Sequence, residues 1–315
     1  MTTTITQQIN EELVKFQESL KDHNLYAPVK YILQLDGKRI RPALLLQTVE
    51  AFGGNTDDAI PLALAVEVFH NFTLLHDDIM DKSDLRRGKP TVHKKWDENA
   101  AILSGDVMLI LAYQLIEDLP IQHQPKILKA FNKMAVWLCE GQQDDMDFEK
   151  RDFVDLPEYL EMIKNKTSVL LAFCLKAGAI LSNADETSTK NIYQYGLNLG
   201  LAFQLQDDYL DLYPKSVGMG KVVGGDILNR KKALPLLLGL KSENKEEIIS
   251  ILNAPNNEET VSNTIKAFEK VNIKESCEKL INEYYTEADK YLSQINDYPT
   301  EIFNNFTRLL KGREK

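Results

Sequence analysis

Two copies of the motif Asp-Asp-x-x-Asp lie 130 positions apart in this chain, at residues 77–81 and 207–211. Each copy follows a long apolar stretch, residues 61–75 and 192–205, of the kind that forms a buried helix. In a helix, the first and last aspartates of such a motif lie one turn apart on the same face. Crowded carboxylates are costly to leave unneutralised, and oxygen ligands favour Mg²⁺, which completes its coordination with water and substrate phosphates. The sequence therefore predicts buried helices that end at magnesium sites for a polyphosphate substrate.

Apolar residues elsewhere also recur at helical spacing. One amphipathic stripe consists of Ile5, Ile9, Leu13, Phe16 and Leu20. Alternation typical of strands and Asn-Gly hairpin turns are absent, and the breaks between apolar segments are short. These patterns predict an all-α protein, a single domain over residues 1–315 with ten or more helices, in which residues 241–260 form a polar peripheral helical segment.

The composition excludes several classes of protein. Lys and Arg number 37 and Asp and Glu 47, a net charge of 37 − 47 = −10, which argues against a nucleic-acid-binding protein. The 43% hydrophobic content is enough for a sizeable core and excludes disorder. No apolar run approaches the length of a membrane span, and the longest, residues 61–69, is interrupted by Glu67.

The three cysteines are widely spaced and form no CxxC pattern, so neither a zinc site nor a disulfide framework is indicated. We expect Cys139, Cys174 and Cys277 to be buried, reduced thiols. The first ten residues lack the basic and then apolar pattern of a signal peptide. Together these features predict a cytoplasmic protein.

Basic residues cluster where glycine or proline shapes the backbone, at residues 37–42 (Gly-Lys-Arg-Ile-Arg-Pro) and 84–91 (Asp-Leu-Arg-Arg-Gly-Lys-Pro-Thr). Pro42 is predicted to occupy the first position of a helix, where free backbone N–H groups would add to the cationic field. The loop at residues 214–225 contains four glycines and two lysines, which suits either a mobile flap over phosphates or an ordinary surface loop. The sequence thus predicts phosphate sites held by Lys and Arg beside those bridged by metal.

The order and spacing of these motifs resemble the trans-isoprenyl diphosphate synthases, the polyprenyl synthetase family, from about residue 35 to residue 235. The resemblance implies the isoprenoid synthase fold, a large helical bundle with a central active-site cavity. It implies three magnesium ions per active site, bound by Asp77, Asp78, Asp81, Asp207, Asp208 and Asp211. The positions that match the isopentenyl diphosphate site are Lys38, Arg41, His70 and Arg87. Those that match the allylic diphosphate site are Arg86, Lys166, Thr167, Gln204, Lys221 and Lys231.

By the same resemblance, Gln142 and Asp145 line or support the site, and the catalytic residues are the first motif with Arg86, Lys166, Asp207 and Lys221. One departure is Ala233, where many members carry a threonine. The resemblance also implies a homodimer.

The implied reaction is the head-to-tail condensation of isopentenyl diphosphate with an allylic diphosphate. In the family, an aromatic residue five positions before the first motif acts as a floor that limits product length, which here is Phe72, with Phe69 three residues earlier. This predicts a product of farnesyl or geranylgeranyl length, leaning towards geranylgeranyl. Because Phe72 lies about 140° from Asp77 on an ideal helical wheel, an aromatic residue that packs elsewhere in the core is the alternative. The allylic primer and the downstream pathway stay open.

Three other classes of protein share part of this pattern. A class I terpene cyclase shares the fold and one Asp-rich motif, but usually replaces the second motif and lacks the Lys38 and Arg41 site. A non-catalytic subunit of a heteromeric prenyl synthase need not keep all six aspartates. An HD-type phosphohydrolase needs further histidine ligands beside His76 and Asp77, and the five histidines of this chain form no persuasive set.

Overall fold

The computed structural model describes residues 3–214 and 223–313, and its secondary structure is almost entirely helical. The first eight helices are α1 (Thr3–Ser19), α2 (Tyr26–Gln34), α3 (Ile40–Ala51), α4 (Ile60–Met80), α5 (Val92–Lys95), α6 (Glu98–Glu117), α7 (Gln124–Glu149) and α8 (Leu156–Ile163). The next eight are α9 (Val169–Leu181), α10 (Glu186–Leu212), α11 (Gly225–Leu228), α12 (Leu234–Lys241), α13 (Lys245–Leu252), α14 (Glu258–Glu269), α15 (Ile273–Leu292) and α16 (Glu301–Lys311). The all-α prediction is confirmed.

Side chains at the N-termini explain where several helices begin. The Asp97 carboxylate accepts a hydrogen bond from the N–H of Ala100 at the start of α6, at 2.8 Å. Asp155 and Glu158 form a reciprocal capping box at the start of α8. Each side chain satisfies a backbone N–H that has no partner within the helix, which contributes about 1 kcal/mol per cap.

The sequence did not predict a small β-hairpin, β1 (Leu85–Arg86) and β2 (Lys89–Pro90), which pair antiparallel. Its two-residue turn consists of Arg87 and Gly88, whose φ angles are 54° and 74°. Positive φ at both turn positions matches the right-handed twist of a hairpin, although arginine adopts it less readily than glycine or asparagine. The hairpin directs two neighbouring arginines from a rigid turn.

The chain divides into two compact units, residues 1–131 with 174–189 and residues 132–173 with 190–315. The core of the first unit is built on α4, which packs against α3 and α6. In the second unit, the buried Tyr195 donates to the carbonyl of Phe303 at 2.9 Å. The prediction of a single domain stays a prediction. Residues 241–260 contain α13 and the beginning of α14, and Ile248 of α13 is fully buried.

The expectation of three buried cysteines needs correction. Cys174 and Cys277 are buried free thiols, but Cys139 is exposed because it follows the buried Leu138 onto the outer face of α7. By length and composition, two helical segments, Asp57–Met80 and Glu98–Glu117, are apolar enough to span a membrane. In the sequence, neither contains an uninterrupted apolar run of that length. In the first segment, 61% of the most apolar 18-residue window is buried, and Glu67 lies inside the protein. Core helices also show these features.

Candidate active site

The first aspartate motif lies at the C-terminal end of α4, where its three carboxylates differ in environment. Asp78 is 2% exposed and accepts two hydrogen bonds from Arg86 of β1, one from Nε and one from Nη2, both at 2.8 Å. Asp77 is half-buried and Asp81 is exposed. A two-point guanidinium contact is among the strongest ion pairs that proteins form. Asp78 is therefore already satisfied by the protein, and Asp77 and Asp81 are the more accessible carboxylates.

A cationic cluster lies in the same unit and consists of Lys38, Arg41, His70 and Arg87. Nη1 of Arg41 lies 3.1 Å from Nε2 of His70. Burial, followed by the charges of Arg41 and Arg87, holds the pKa of His70 well below its usual range. Because arginine can only donate, the neutral ring accepts through Nε2 and carries its proton on Nδ1. The cluster thus holds Arg41 in place without adding a charge on His70.

The loop before α3 carries Lys38 and contacts Arg87. Nη1 of Arg87 donates to the carbonyl of Leu35 at 3.2 Å, and Lys38 is exposed. A Cβ on Gly37 would lie 2.7 Å from Nη1 of Arg87, so a larger residue there would displace this guanidinium from its present position. The helix begins at Ile40, two residues before the predicted first position at Pro42, because Arg39 adopts a left-handed conformation with φ of 47° and ends the loop there.

The second motif ends α10, and its middle carboxylate is again the buried one. Asp208 is 8% exposed and accepts hydrogen bonds from the hydroxyl of Tyr159, from the N–H of Leu234 at 2.9 Å and from Nε2 of Gln204 at 3.1 Å. Burial raises the pKa of Asp208 to about 6 even with these donors. Gln204, which the resemblance assigns to the allylic diphosphate site, thus contacts the second motif directly.

The flanking aspartates of this motif are more accessible. Asp207 is exposed and pairs with Nη2 of Arg313 at 2.9 Å, a surface ion pair of the kind that stabilises by about 0–1 kcal/mol. Asp211 is half-buried and accepts the N–H of Asp226 at 3.0 Å. As in the first motif, the outer two carboxylates are the ones with accessible oxygens.

A pocket of about 240 Å³ lies around the second motif. It is lined by Asp145, Tyr159, Met162, Ile163, Lys166, Thr167, Gln204, Asp207, Asp208, Asp211, Asp226, Lys231, Lys232 and Ala233. Five carboxylates and three ammonium groups in so small a volume can hold both a divalent cation and the phosphate oxygens that it binds. Burial, with repulsion from Asp208 and Asp211, raises the pKa of Asp226 to about 7.

A π-helical turn, Lys164–Ser168, supplies two of the lining residues, Lys166 and Thr167. Two glycines allow neighbouring helices to approach it closely. A Cβ on Gly141 of α7 would lie 2.4 Å from the backbone N of Lys166, and one on Gly200 of α10 would lie 2.7 Å from Cα of Ser168. Such turns frequently mark functional sites because they re-aim side chains within a helix.

The contacts of the π-helical turn connect it to the rest of the pocket. Nζ of Lys166 donates to Asp145 at 2.5 Å, and the hydroxyl of Thr167 donates to Oε1 of Gln204 at 3.3 Å. Gln142, one turn before Asp145, is buried. Direct contacts therefore join Lys166 to Asp145 and Thr167 to Gln204, four residues that the resemblance assigned to the site.

The donor set suits magnesium in one specific way. Within residues 3–214 and 223–313, no three Asp, Glu, His or Cys side chains are arranged to enclose a metal ion by themselves. Mg²⁺ is usually held by one or two carboxylates together with water and substrate phosphates. Asp207 and Asp211, or Asp77 and Asp81, match that requirement.

Comparison with known proteins decides the family. The model of the family described as polyprenyl synthetase matches residues 22–271. The chain belongs to the polyprenyl synthetase family. The predictions of this family and of a prenyltransferase are thereby confirmed.

Several polyprenyl synthetases resemble this chain over most of its length. The geranylgeranyl diphosphate synthase of Methanosarcina mazei is 42% identical over 218 residues, 68% of this chain and 67% of that protein. The geranylgeranyl pyrophosphate synthase of Geoglobus acetivorans is 35% identical over 297 residues, 94% and 92% of the two chains. A crystal structure of a geranylgeranyl pyrophosphate synthase covers 100% of both chains with a TM-score of 0.92 and 43% identity. The predicted isoprenoid synthase fold is confirmed.

Sequence reasoning missed two side chains that line the pocket around the second motif of this polyprenyl synthetase, Tyr159 and Asp226. Asp226 follows the glycine-rich loop directly, which was a usable signal. Nothing local marks Tyr159, which reaches Asp208 across 49 positions of sequence. Lys221 and most of the loop at residues 214–225 lie outside the described residues, and the assignment of Lys221 stays a prediction.

The raised pKa of Asp226 predicts how the stability of the metal-free protein depends on pH. The folded state binds this proton between about pH 4 and about pH 7 and the unfolded state does not, so ionised Asp226 destabilises the fold as the pH rises through that window. We expect Asp226→Asn to raise the free energy of unfolding, by on the order of 2 kcal/mol more at about pH 8 than at about pH 5.

Urea unfolding in the presence of a chelator at both pH values measures this difference. Asp152→Asn, at an exposed position, is the matched control and should change little. Equal effects of Asp226→Asn at the two pH values would contradict the prediction.

Proposed function

We propose that this protein condenses isopentenyl diphosphate head to tail with an allylic diphosphate and releases a short-chain prenyl diphosphate of farnesyl or, more closely in line with its relatives, geranylgeranyl length. The observation that carries the proposal is the pair of aspartate motifs, each with two accessible carboxylates at the end of a buried helix. The named relatives support it, since two of them are geranylgeranyl diphosphate synthases 35–42% identical to this chain.

The roles proposed for the residues follow from their chemistry. Magnesium, three ions per active site, would be held by aspartates of both motifs and would stabilise the negative charge that develops on the departing diphosphate. Lys166 and Lys231 offer ammonium groups to the same allylic diphosphate, with Thr167 and Gln204 as polar contacts. Arg86 and Lys221 complete the set assigned by resemblance. Asp78 and Asp208 serve as anchors, because their oxygens already accept hydrogen bonds.

The second diphosphate has different requirements, since isopentenyl diphosphate does not ionise and must only be held. Lys38, Arg41 and Arg87 supply fixed positive charge, and neutral His70 orients Arg41. The allylic C–O bond breaks to give a carbocation, the double bond of isopentenyl diphosphate attacks it, and a proton leaves the new adduct. No side-chain nucleophile is needed. The departing diphosphate is the proposed proton acceptor.

Product length is proposed to depend on Phe72, which lies between the first motif and a buried aromatic cluster. Its half-buried ring lies 4.9 Å from the ring of His76 and 5.5 Å from that of Phe69. Phe69 is 1% exposed and packs at 5.0 Å against Phe131. Phe69 therefore supports Phe72 from behind, and Phe72 is the better candidate for contact with a growing chain.

A homodimer in the cytoplasm completes the proposal. Helix α6 exposes three large apolar side chains, Ile102, Leu103 and Ile110, which are 42%, 58% and 55% exposed. An apolar helix face of this kind marks an interaction surface in a protein with a polar exterior. The buried Cys174 and Cys277 remain reduced thiols, as expected in the cytoplasm.

The direct test is condensation by the purified protein. With magnesium, isopentenyl diphosphate and each allylic primer in turn, we expect a single short-chain product, and Asp77→Ala or Asp207→Ala should lower the rate by roughly a hundredfold or more. Sizing the products by chromatography measures both. Asp152→Ala is the control at an exposed aspartate.

Three outcomes would contradict this proposal. Full activity in either aspartate variant would reject the two-motif site. Consumption of a prenyl diphosphate without isopentenyl diphosphate would indicate a cyclase. Activity only after addition of a second polypeptide would indicate a subunit of a heteromeric enzyme.

Replacing the proposed floor should lengthen the product. Phe72→Ala removes an aromatic ring from beside Phe69 and opens space of about one isoprene unit, so we expect longer products at a similar turnover. Product sizing against the wild type measures the shift, with Phe153→Ala at an exposed phenylalanine as the control. An unchanged distribution would assign the floor to Phe69 or to another side chain.

Charging the exposed face of α6 should dissociate the dimer. Ile110→Glu places a carboxylate in the proposed interface, and we expect a monomer in sedimentation or light scattering, where the wild type is a dimer. Ile121→Glu is the control, since Ile121 is 75% exposed and lies outside α6. A monomeric wild type would refute the assignment.

A further inference from the structure

Arg39 lies within the basic segment at residues 37–42, yet its guanidinium turns away from solvent. The side chain is 6% exposed and Nη1 donates to Oε1 of Glu67 on α4 at 2.5 Å. Nη2 donates to the carbonyls of Leu33 at 2.9 Å and Leu35 at 3.1 Å, and Nε donates to Asn10 of α1 at 3.3 Å. Four of the five N–H donors of this guanidinium are therefore used within the protein, and its burial keeps it from serving as an open phosphate ligand.

The partner of Arg39, Glu67, is a buried carboxylate that acts on the cationic cluster through its charge. It is 3% exposed, lies one turn before His70 on α4, and also accepts a hydrogen bond from Asn71 at 3.0 Å. Burial lowers the pKa values of both Arg41 and Arg87, and the negative charge of Glu67 opposes this lowering in each, so the two arginines lie within its electrostatic reach. A carboxylate buried beside a phosphate-binding cluster competes with the phosphate for the same cations.

Arg41 is the cation most open to such competition. Its Nε is buried and has no hydrogen-bond partner among the described residues. An unpaired carboxylate nearby would attract this donor strongly, because a buried charge without a partner is costly. The guanidinium of Arg41 would then turn towards Glu67 and away from His70.

We propose that Arg39 is a positioning residue that saturates Glu67 and thereby keeps the guanidinium of Arg41 available to a diphosphate. The inference rests on the proposed function, in which Arg41 binds isopentenyl diphosphate. It differs from a purely structural role, since a buried ion pair by itself often adds little stability over a hydrophobic pair of similar volume. The segment then divides its charges between two tasks: Lys38 is exposed and Arg41 is reserved for the diphosphate, while Arg39 neutralises Glu67.

The test separates positioning from stability by removing Glu67 as well. In Arg39→Met, free Glu67 captures Arg41, and we expect the dissociation constant for isopentenyl diphosphate to rise by roughly tenfold or more. In the double variant Arg39→Met, Glu67→Gln, the competing charge is gone, and most of that loss should be recovered. Glu67→Gln alone should weaken binding by less than about threefold.

Calorimetry with isopentenyl diphosphate in the presence of a chelator gives the constants without contribution from metal. Steady-state kinetics of the whole enzyme adds a second readout: the KM for isopentenyl diphosphate should rise in Arg39→Met, while the KM for the allylic substrate stays constant. Arg151→Met is the matched control, because Arg151 forms an exposed two-point pair with Glu158. Thermal unfolding of each variant reports its stability.

Equal binding by Arg39→Met and the wild type would overturn the inference, and so would a double variant as weak as Arg39→Met. If Arg39→Met does not fold, Glu67→Gln decides the question, because a structural pair requires it to lose binding and a positioning pair requires it to retain binding. A wild type that makes no prenyl diphosphate would overturn the proposed function. A wild type that condenses both substrates while Arg39→Met binds normally would overturn this inference alone.

Discussion

Each aspartate motif has a middle carboxylate that is buried and must be satisfied by the protein before the outer two can act as ligands. Asp78 is satisfied by Arg86, and Asp208 by the hydroxyl of Tyr159 and the N–H of Leu234. An unsatisfied buried carboxylate would cost several kcal/mol, more than any one surface contact recovers. The hairpin that carries Arg86, the first turn of α12 and helix α8 are therefore fixed by the same requirement. The site and its supporting elements cannot be varied independently.

The pocket around Asp208 stores unfavourable electrostatic energy in the metal-free protein. Burial, together with repulsion from Asp208 and Asp211, raises the pKa of Asp226 to about 7. A fold selected for stability alone would replace one of these carboxylates, since crowded like charges destabilise it. The proposed function accounts for all of them, because a divalent cation bound with the substrate would convert the mutual repulsion into attraction. In this proposal, the crowded carboxylates lower the stability of the metal-free fold and provide affinity for a cation and the diphosphate that it accompanies.

The helices and the positions of both motifs could be predicted from the sequence because they depend on local periodicity: apolar residues at helical spacing bury one face, and the aspartates end it. What escaped prediction depends on contacts between residues distant in sequence. The π-helical turn at Lys164–Ser168 requires Gly141 and Gly200 on two other helices, and neither glycine by itself signals such a turn. The pairing of the Arg39 side chain with Glu67 likewise joins residues 28 positions apart, and the start of α3 at Ile40 in place of Pro42 could not be predicted from the segment alone. The family resemblance supplied the roles of residues such as Lys166, which spacing could not.

The two groups of phosphate-binding residues differ in how they respond to protons. In the cationic cluster, Arg41 and Arg87 remain charged at any physiological pH, and His70 remains neutral because burial and neighbouring arginines oppose its protonation. The charge of that cluster is therefore constant near neutrality. Around the second motif, Asp208 and Asp226 have pKa values of about 6 and about 7, so the charge of the metal-free pocket changes within this range. Protons and metal ions compete for the same oxygens there, since a protonated carboxyl is a poor ligand. Under the proposed function, a dependence of activity on pH near neutrality would then arise in the acidic pocket or in the substrates themselves and not in the cationic cluster.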